Sequence, residues 1–191
     1  PVEDFGIKYN FGNGGTAPEK ITEAFFARSK VINQFQIIEA TDVDFNTLGA
    51  AKIGDTEIVI FDPVADYAEL MESLFDFYAI RAMIKGGFAL KFDAMHAVTG
   101  PYAKEIFERR LGAPEGSVMN FVPLPDFGGH HPDPNLVYAK KLYDLLMSDS
   151  TPDFGAATAG YGDRNLIIGR GIFVTPSDSH AMLPHNADPA T

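Results

Sequence analysis

Cysteine and tryptophan are both absent from this 191-residue sequence. Without cysteine there is no disulfide, no thiolate nucleophile and no thiolate metal site, so packing and hydrogen bonding must hold the fold. Basic residues are scarce, with 15 Lys and Arg against 26 Asp and Glu, a formal net charge of -11. No Lys/Arg cluster offsets that balance locally, so neither nucleic acid nor an anionic membrane is expected as a partner. No apolar run approaches the ~20 residues that a membrane-spanning helix needs. Pro1-Val2-Glu3-Asp4 has neither the basic region nor the apolar core of a signal peptide, and a cytoplasmic setting is expected. What is present is 46% hydrophobic content, enough to bury a sizeable core in one large domain, or in one domain and part of another.

Taken in order, residues 5–10 read as a strand ended by Gly12-Asn13-Gly14-Gly15. Thr16 and Glu19 have capping-box spacing, Pro18 suits a first turn, and Ile21, Phe25 and Ser29 recur at helical period. Residues 36–60 read as two short strands, Gln36–Ile38 and Glu57–Ile60, within loops. From Asp66 a stripe of Tyr67, Leu70, Met71, Leu74 and Tyr78 predicts one helix running to Gly86-Gly87, its aromatic side chains in a packed core. A domain boundary is therefore expected near Val64. Beyond it, Ala89–Phe92, Pro101–Leu111, Val118–Val122 and Pro134–Met147 alternate strand and helix, which predicts a three-layer α/β unit. Asp133 before Pro134 and Thr175 before Pro176 read as helix N-caps with proline at the first helical position.

The informative stretch is Pro152 to Ser179. Gly155–Thr158 is small enough to lie buried and Leu166–Ile168 is β-prone. The turn Gly160-Tyr161-Gly162-Asp163-Arg164 between them is expected at the carboxyl end of a strand, where α/β proteins place ligands. Two further groups of residues invite chemistry. Adjacent His130 and His131 in an extended segment should project to opposite sides, so at most one faces a given site, and hydrogen bonding at the ligand edge is the expected role. Ser177, Asp178, Ser179 and His180 hold the letters of a hydrolase triad, but contiguous residues do not meet its geometry. His180 and His185 lie five positions apart, about 140° around a helix that Pro184 should break, and so make a poor chelating pair.

Several motifs resemble the α-D-phosphohexomutases, phosphoglucomutase in particular. They occur in family order: residues 6–19 with Asn13-Gly14-Gly15, Asp93-Ala94-Met95-His96, Thr99-Gly100-Pro101-Tyr102, Asp126 through Leu136, Phe154-Gly155-Ala156-Ala157, Gly162-Asp163-Arg164-Asn165 and Pro176-Ser177-Asp178-Ser179. The resemblance covers almost the whole chain. It implies an α/β fold, with residues 65–191 as the family's second domain, a three-layer α/β/α unit on a mixed sheet. Residues 1–64 would be the end of the first, incomplete here. It also implies a sugar phosphate as substrate, interconverted between glucose 1-phosphate and glucose 6-phosphate through a phosphoserine, with bound Mg2+.

The family's metal loop reads Asp-Gly-Asp-Gly-Asp-Arg. Carboxylates at alternating positions of such a loop point to one side, and the glycines let the backbone curl so that all three reach a hard cation. Here Ala159 and Tyr161 stand at two of those positions and only Asp163 remains. One carboxylate is a poor magnesium site, because this ion dehydrates reluctantly and needs several anionic ligands. Weak or no magnesium binding is expected, with Arg164 left to meet phosphate or to form a structural ion pair, and His130 as a further candidate. The sequence begins just past the position of the phosphoserine, so no mutase activity is expected of the 191 residues alone, and an uncovered sheet edge in 1–64 predicts self-association. The alternative is a repurposed domain whose hydrolytic or metal-dependent activity uses Tyr161, His180 and His185, residues that depart from the family pattern.

Overall fold

A computed structural model describes residues 7–149 and 152–186; the first residues of the strand expected at 5–10 and the tail after Asn186 lie outside them. The chain divides between Phe61 and Asp62 into two compact units.

In the first unit the expected strand is reduced to a single bridge between Asn10 and Thr16. Thr16 is thereby taken from the capping box. Helix α1, Glu19–Ser29, starts instead after an extended Pro18 with no side-chain cap. Strands β1, Gly49–Ile53, and β2, Thr56–Ile60, form a hairpin in which Ile53 faces Thr56, so Gly54-Asp55 is a two-residue loop. Gly54 supplies the positive φ, 58°, that such loops demand. The strand expected at Gln36–Ile38 does not form; Ile37 and Ile38 are 80% and 70% exposed, with nothing to pair against. Ala17 is the only buried hydrophobic residue described between residues 7 and 61.

The second unit opens with two helices rather than the single one expected. Helix α2, Pro63–Leu74, begins at Asp62, whose carboxylate accepts from the amides of Val64 and Ala65. It stops at an extended Phe75, and α3, Phe77–Lys85, restarts under a second cap from Asp76 to the Ala79 amide. A capping aspartate within the periodic stretch offers the backbone a better partner than helix continuation, which is why periodicity misled. The aromatic stripe is not core here: Tyr67, Leu70, Leu74 and Tyr78 are 44%, 52%, 56% and 83% exposed, while Ala68, Phe77 and Ile84 are buried.

Strand β3, Leu90–Asp93, pairs in parallel with β4, Val118–Met119, on one side and β5, Phe154–Thr158, on the other. From β5 the sheet continues antiparallel through β6, Asn165–Gly169, and β7, Ile172–Val174, giving the order β4-β3-β5-β6-β7. The sheet is mixed, as expected. Side chains alternate across it. Ala157, Leu166 and Ile168 join Leu142 and Leu146 of helix α5, Lys140–Leu146, on one face. Leu90 and Phe154 join Phe77, Ile84 and Leu111 on the other. Gly155 is glycine because a Cβ there would stand 2.9 Å from Leu146 Cδ2.

Three helical expectations change. Helix α4 covers only Gly100–Ala103 and passes into π-helical turns over Lys104–Arg110. The helix expected from Pro134 begins at Lys140: Asn135, not Asp133, caps the preceding turn by accepting from the amides of Val137 and Tyr138. Helix α6, Pro176–Asn186, does start from the Thr175–Asp178 pair, with the Asp178 amide donating to Thr175 Oγ1 and that hydroxyl to Asp178 Oδ2. It also runs past Pro184 to Asn186, whose Nδ2 donates to the Met182 carbonyl in this last turn.

Candidate functional site

Because β3 and β5 are parallel, the segments that follow them emerge at the same carboxyl edge of the sheet. The glycine loop 159–164 closes the β5–β6 hairpin there. The Ala159 amide donates to the Arg164 carbonyl at 3.0 Å, and the Gly162 amide to the Ala159 carbonyl at 2.9 Å. Gly162 is obligatory on two counts: its φ is +74°, and a Cβ would stand 2.6 Å from Thr99 Cγ2. Ala159 is fully buried, whereas Asp163 and Arg164 are exposed. Tyr161, 65% exposed, borders an open cavity of about 540 Å³ together with Tyr67, Phe92, Tyr102, Phe107 and Thr158. Its polar groups include the hydroxyls of Thr99 and Thr158, 2.7 Å apart.

The donor set does not fit magnesium. Of the three alternating positions one presents a buried methyl, one a neutral phenol and one a carboxylate, and among the described residues no group of three or more His, Asp or Glu could hold a metal ion.

Segment 130–133 lies across the loop. The Gly160 amide donates to the Pro132 carbonyl at 3.2 Å, and Arg164 Nη1 donates to Asp133 Oδ1 at 2.6 Å. Asp133 is thus the anchor for Arg164 rather than a helix cap. Arg164 and Asp133 border a depression of about 370 Å³ with Ser179 and His180. His185 sits further along α6 and does not border it. Nor does α6 assemble a triad, since Asp178 is engaged by Thr175 and Ser179 Oγ donates to the Pro176 carbonyl.

On the other side of the strap, His130 and His131 both border one depression of about 310 Å³, contrary to the opposite projection expected of them. The segment is not a regular strand: the Asp133 amide folds back onto the His131 carbonyl at 2.9 Å. The His131 ring packs on Tyr138, centroids 4.7 Å apart. His96, at the same depression, donates from Nδ1 to the Val122 carbonyl at 2.9 Å.

Sequence reasoning missed the backbone that frames this place. Met95, His96, Asn120 and Phe127 all have positive φ, 52°, 56°, 49° and 54°. Each such non-glycine residue costs roughly 1–2 kcal/mol. The bonds that hold them include Asp93, buried, accepting at Oδ1 from the Met95 amide at 2.9 Å and from Asn120 Nδ2 at 2.8 Å. The His96 amide donates to the Asn120 carbonyl at 2.9 Å. Only Asn120 is a residue type that visits this conformation readily, so the sequence carried almost no signal.

The fold and its edge define a class, an α/β/α domain with its ligand loops at the carboxyl edge of a mixed sheet. The chain belongs to the phosphoglucomutase/phosphomannomutase family, its residues 65–171 matching alpha/beta/alpha domain II. It is 64% identical over 187 residues to the phosphoglucomutase of Rhizobium radiobacter, covering 98% of this chain and 34% of that protein. It is 47% identical over 198 residues to the cytoplasmic phosphoglucomutase of Bromus inermis, again 98% of this chain and 34% of that one. The crystal structure of the exocytosis-sensitive phosphoprotein pp63/parafusin, a phosphoglucomutase from Paramecium, in its open form, superposes with a TM-score of 0.88 at 40% identity, over 96% of this chain and 35% of that one. The chain spans about a third of the length of these relatives.

Proposed function

We propose that this chain is the second domain, residues 65–191, and the closing part of the first, residues 1–64, of a phosphoglucomutase-type fold, and that it serves as a sugar-phosphate-facing module without magnesium-dependent turnover. The relatives named above support glucose phosphates as the ligand class, and the cytoplasmic relative from Bromus inermis supports a cytoplasmic setting. The observation that carries the loss of turnover is the pair Ala159 and Tyr161 at two positions where the family has carboxylates. In the family the metal stabilises charge that develops as the phosphoryl group moves, a contribution of several kcal/mol. No neighbouring cation replaces it. Arg164 is the residue best placed to face a phosphate: its planar donors suit that geometry, and Asp133 fixes the guanidinium at the loop while leaving it exposed. His130 offers an imidazole on the far side of the strap.

The exposed apolar surface of residues 7–61 supports a second copy as the partner of the 191-residue chain. Calorimetry with MgCl2, and a mutase assay with glucose 1-phosphate, glucose 1,6-bisphosphate and magnesium, test the main reading. No saturable magnesium heat and no turnover are expected; turnover that survives repurification would overturn it.

A further inference from the structure

The depression beside the histidine pair is unusual for a chain with a net charge of -11. His96, His130, His131 and Lys141 converge on it. The one carboxylate there, Asp93, is 4% exposed, and its Oδ1 already accepts two hydrogen bonds, so it presents little repulsion to an incoming anion. The side chains of Lys141 and His130 have no hydrogen-bonding or ion-pairing partner among the described residues, whereas the adjacent Lys140 is paired with Asp144 at 2.5 Å. An ammonium and two imidazoles left unneutralised around a concavity of about 310 Å³ are a donor set without an acceptor. Two of the histidines are held in place, His131 by Tyr138 and His96 by its bond to Val122.

The backbone adds an independent observation. Three of the four non-glycine residues with positive φ, Met95, His96 and Asn120, border this same depression. Such conformations persist only where surrounding structure over-determines them, and they concentrate at ligand sites. Metal chelation is not the purpose, because no group here could hold an ion and His96 Nδ1 is already committed.

We propose that this depression is a subsite for a phosphate dianion, bound through Lys141 Nζ and the imidazole N–H groups of His130 and His131. A tetrahedral oxyanion accepts from several directions at once, which suits donors spread around a bowl rather than aligned along a groove. The site lies on the opposite side of the 130–133 strap from Arg164 and does not depend on the mutase reading.

The test is calorimetry on the 191-residue chain at fixed ionic strength, with inorganic phosphate in one arm and glucose 6-phosphate in the other. Saturable one-to-one binding is expected, weakened about tenfold by Lys141→Gln or His130→Asn and unchanged by Lys140→Gln. Binding in both arms supports a site for phosphate monoesters, and binding of inorganic phosphate alone a site for the free anion. Phosphate-dependent shifts of the His130 and His131 ring protons in the unsubstituted chain provide a readout that needs no variant to fold. Absence of saturable binding in both arms overturns the proposal. So does binding that both substitutions leave intact while Arg164→Gln abolishes it.

Discussion

Arg164 Nη1 and Asp133 Oδ1 lie 2.6 Å apart, and one residue earlier the Pro132 carbonyl accepts from Gly160, so the segment carrying the paired histidines is tied to the glycine loop at both ends of its turn. The pair is partly exposed, 63% and 29% at the two side chains, so its Coulombic share is screened. Asp133→Ala should cost about 1 kcal/mol in urea denaturation, because Asp133 Oδ2 also accepts from Asn135 Nδ2 and both bonds go together. A cost below the error of the measurement would show that the strap is held by Gly160 and Pro132 alone.

Restoring the missing carboxylates tests the loop directly. Ala159→Asp with Tyr161→Asp should bring magnesium affinity from undetectable into the calorimetric range, since three oxygens on one side meet what the ion requires. Without metal the same variant should be less stable than the parent, because position 159 is fully buried and like charges so close raise one another's pKa. A folded double variant that still binds no magnesium would mean that the loop backbone has been rebuilt rather than stripped of ligands.

Two glycines should tolerate no side chain. A Cβ on Gly100 would stand 1.9 Å from the Phe121 carbonyl oxygen, and backbone cannot give way as a flexible side chain can. Gly100→Ala should destabilise by about 3 kcal/mol or more, and Gly155→Ala by about 1–3 kcal/mol as Leu146 shifts. Thermal unfolding followed by far-UV circular dichroism gives both values, and a neutral Gly100→Ala would contradict the packing described.

Acid sensitivity should reside partly in Asp153. The Ala89 amide above all, and then Arg170, hold its carboxyl below the usual range. A depressed folded pKa stabilises above the unfolded value, about 3.9, and that stability is lost as pH falls through the folded one. The difference in urea midpoint between the parent and Asp153→Asn should be full at pH 6 and shrink below about pH 4. A difference that stays constant with pH would assign the effect to packing.

Self-association should be visible in sedimentation velocity as a coefficient that rises with concentration. Phe26, Ile32, Phe35 and Ile37 are 63%, 54%, 84% and 80% exposed, more apolar surface than a 60-residue unit ordinarily leaves in water. Phe35→Ser with Ile37→Ser should lower the association. A single monomeric boundary at millimolar chain would count against a second copy as the partner.

The sequence by itself determined the family, the mixed α/β architecture, the hairpin around the glycine loop and the loss of two metal carboxylates. Each of these rests on residue identity or short-range pattern: small residues in β5, β-branched ones in β6, glycines at alternating loop positions. Only tertiary structure decided what those elements touch. The stripe from Tyr67 to Tyr78 has a buried helix's periodicity yet is largely exposed, because periodicity says which side chains share a face and not whether anything covers it. Asp133 has an N-cap's neighbours yet pairs with Arg164, a partner 31 residues away that no local rule could name. The left-handed backbone at Met95 and His96 is imposed by the Asp93 carboxylate and the Asn120 carbonyl across the sheet edge, so the bowl that gathers three histidines and Lys141 exists only once β3 and β4 have paired.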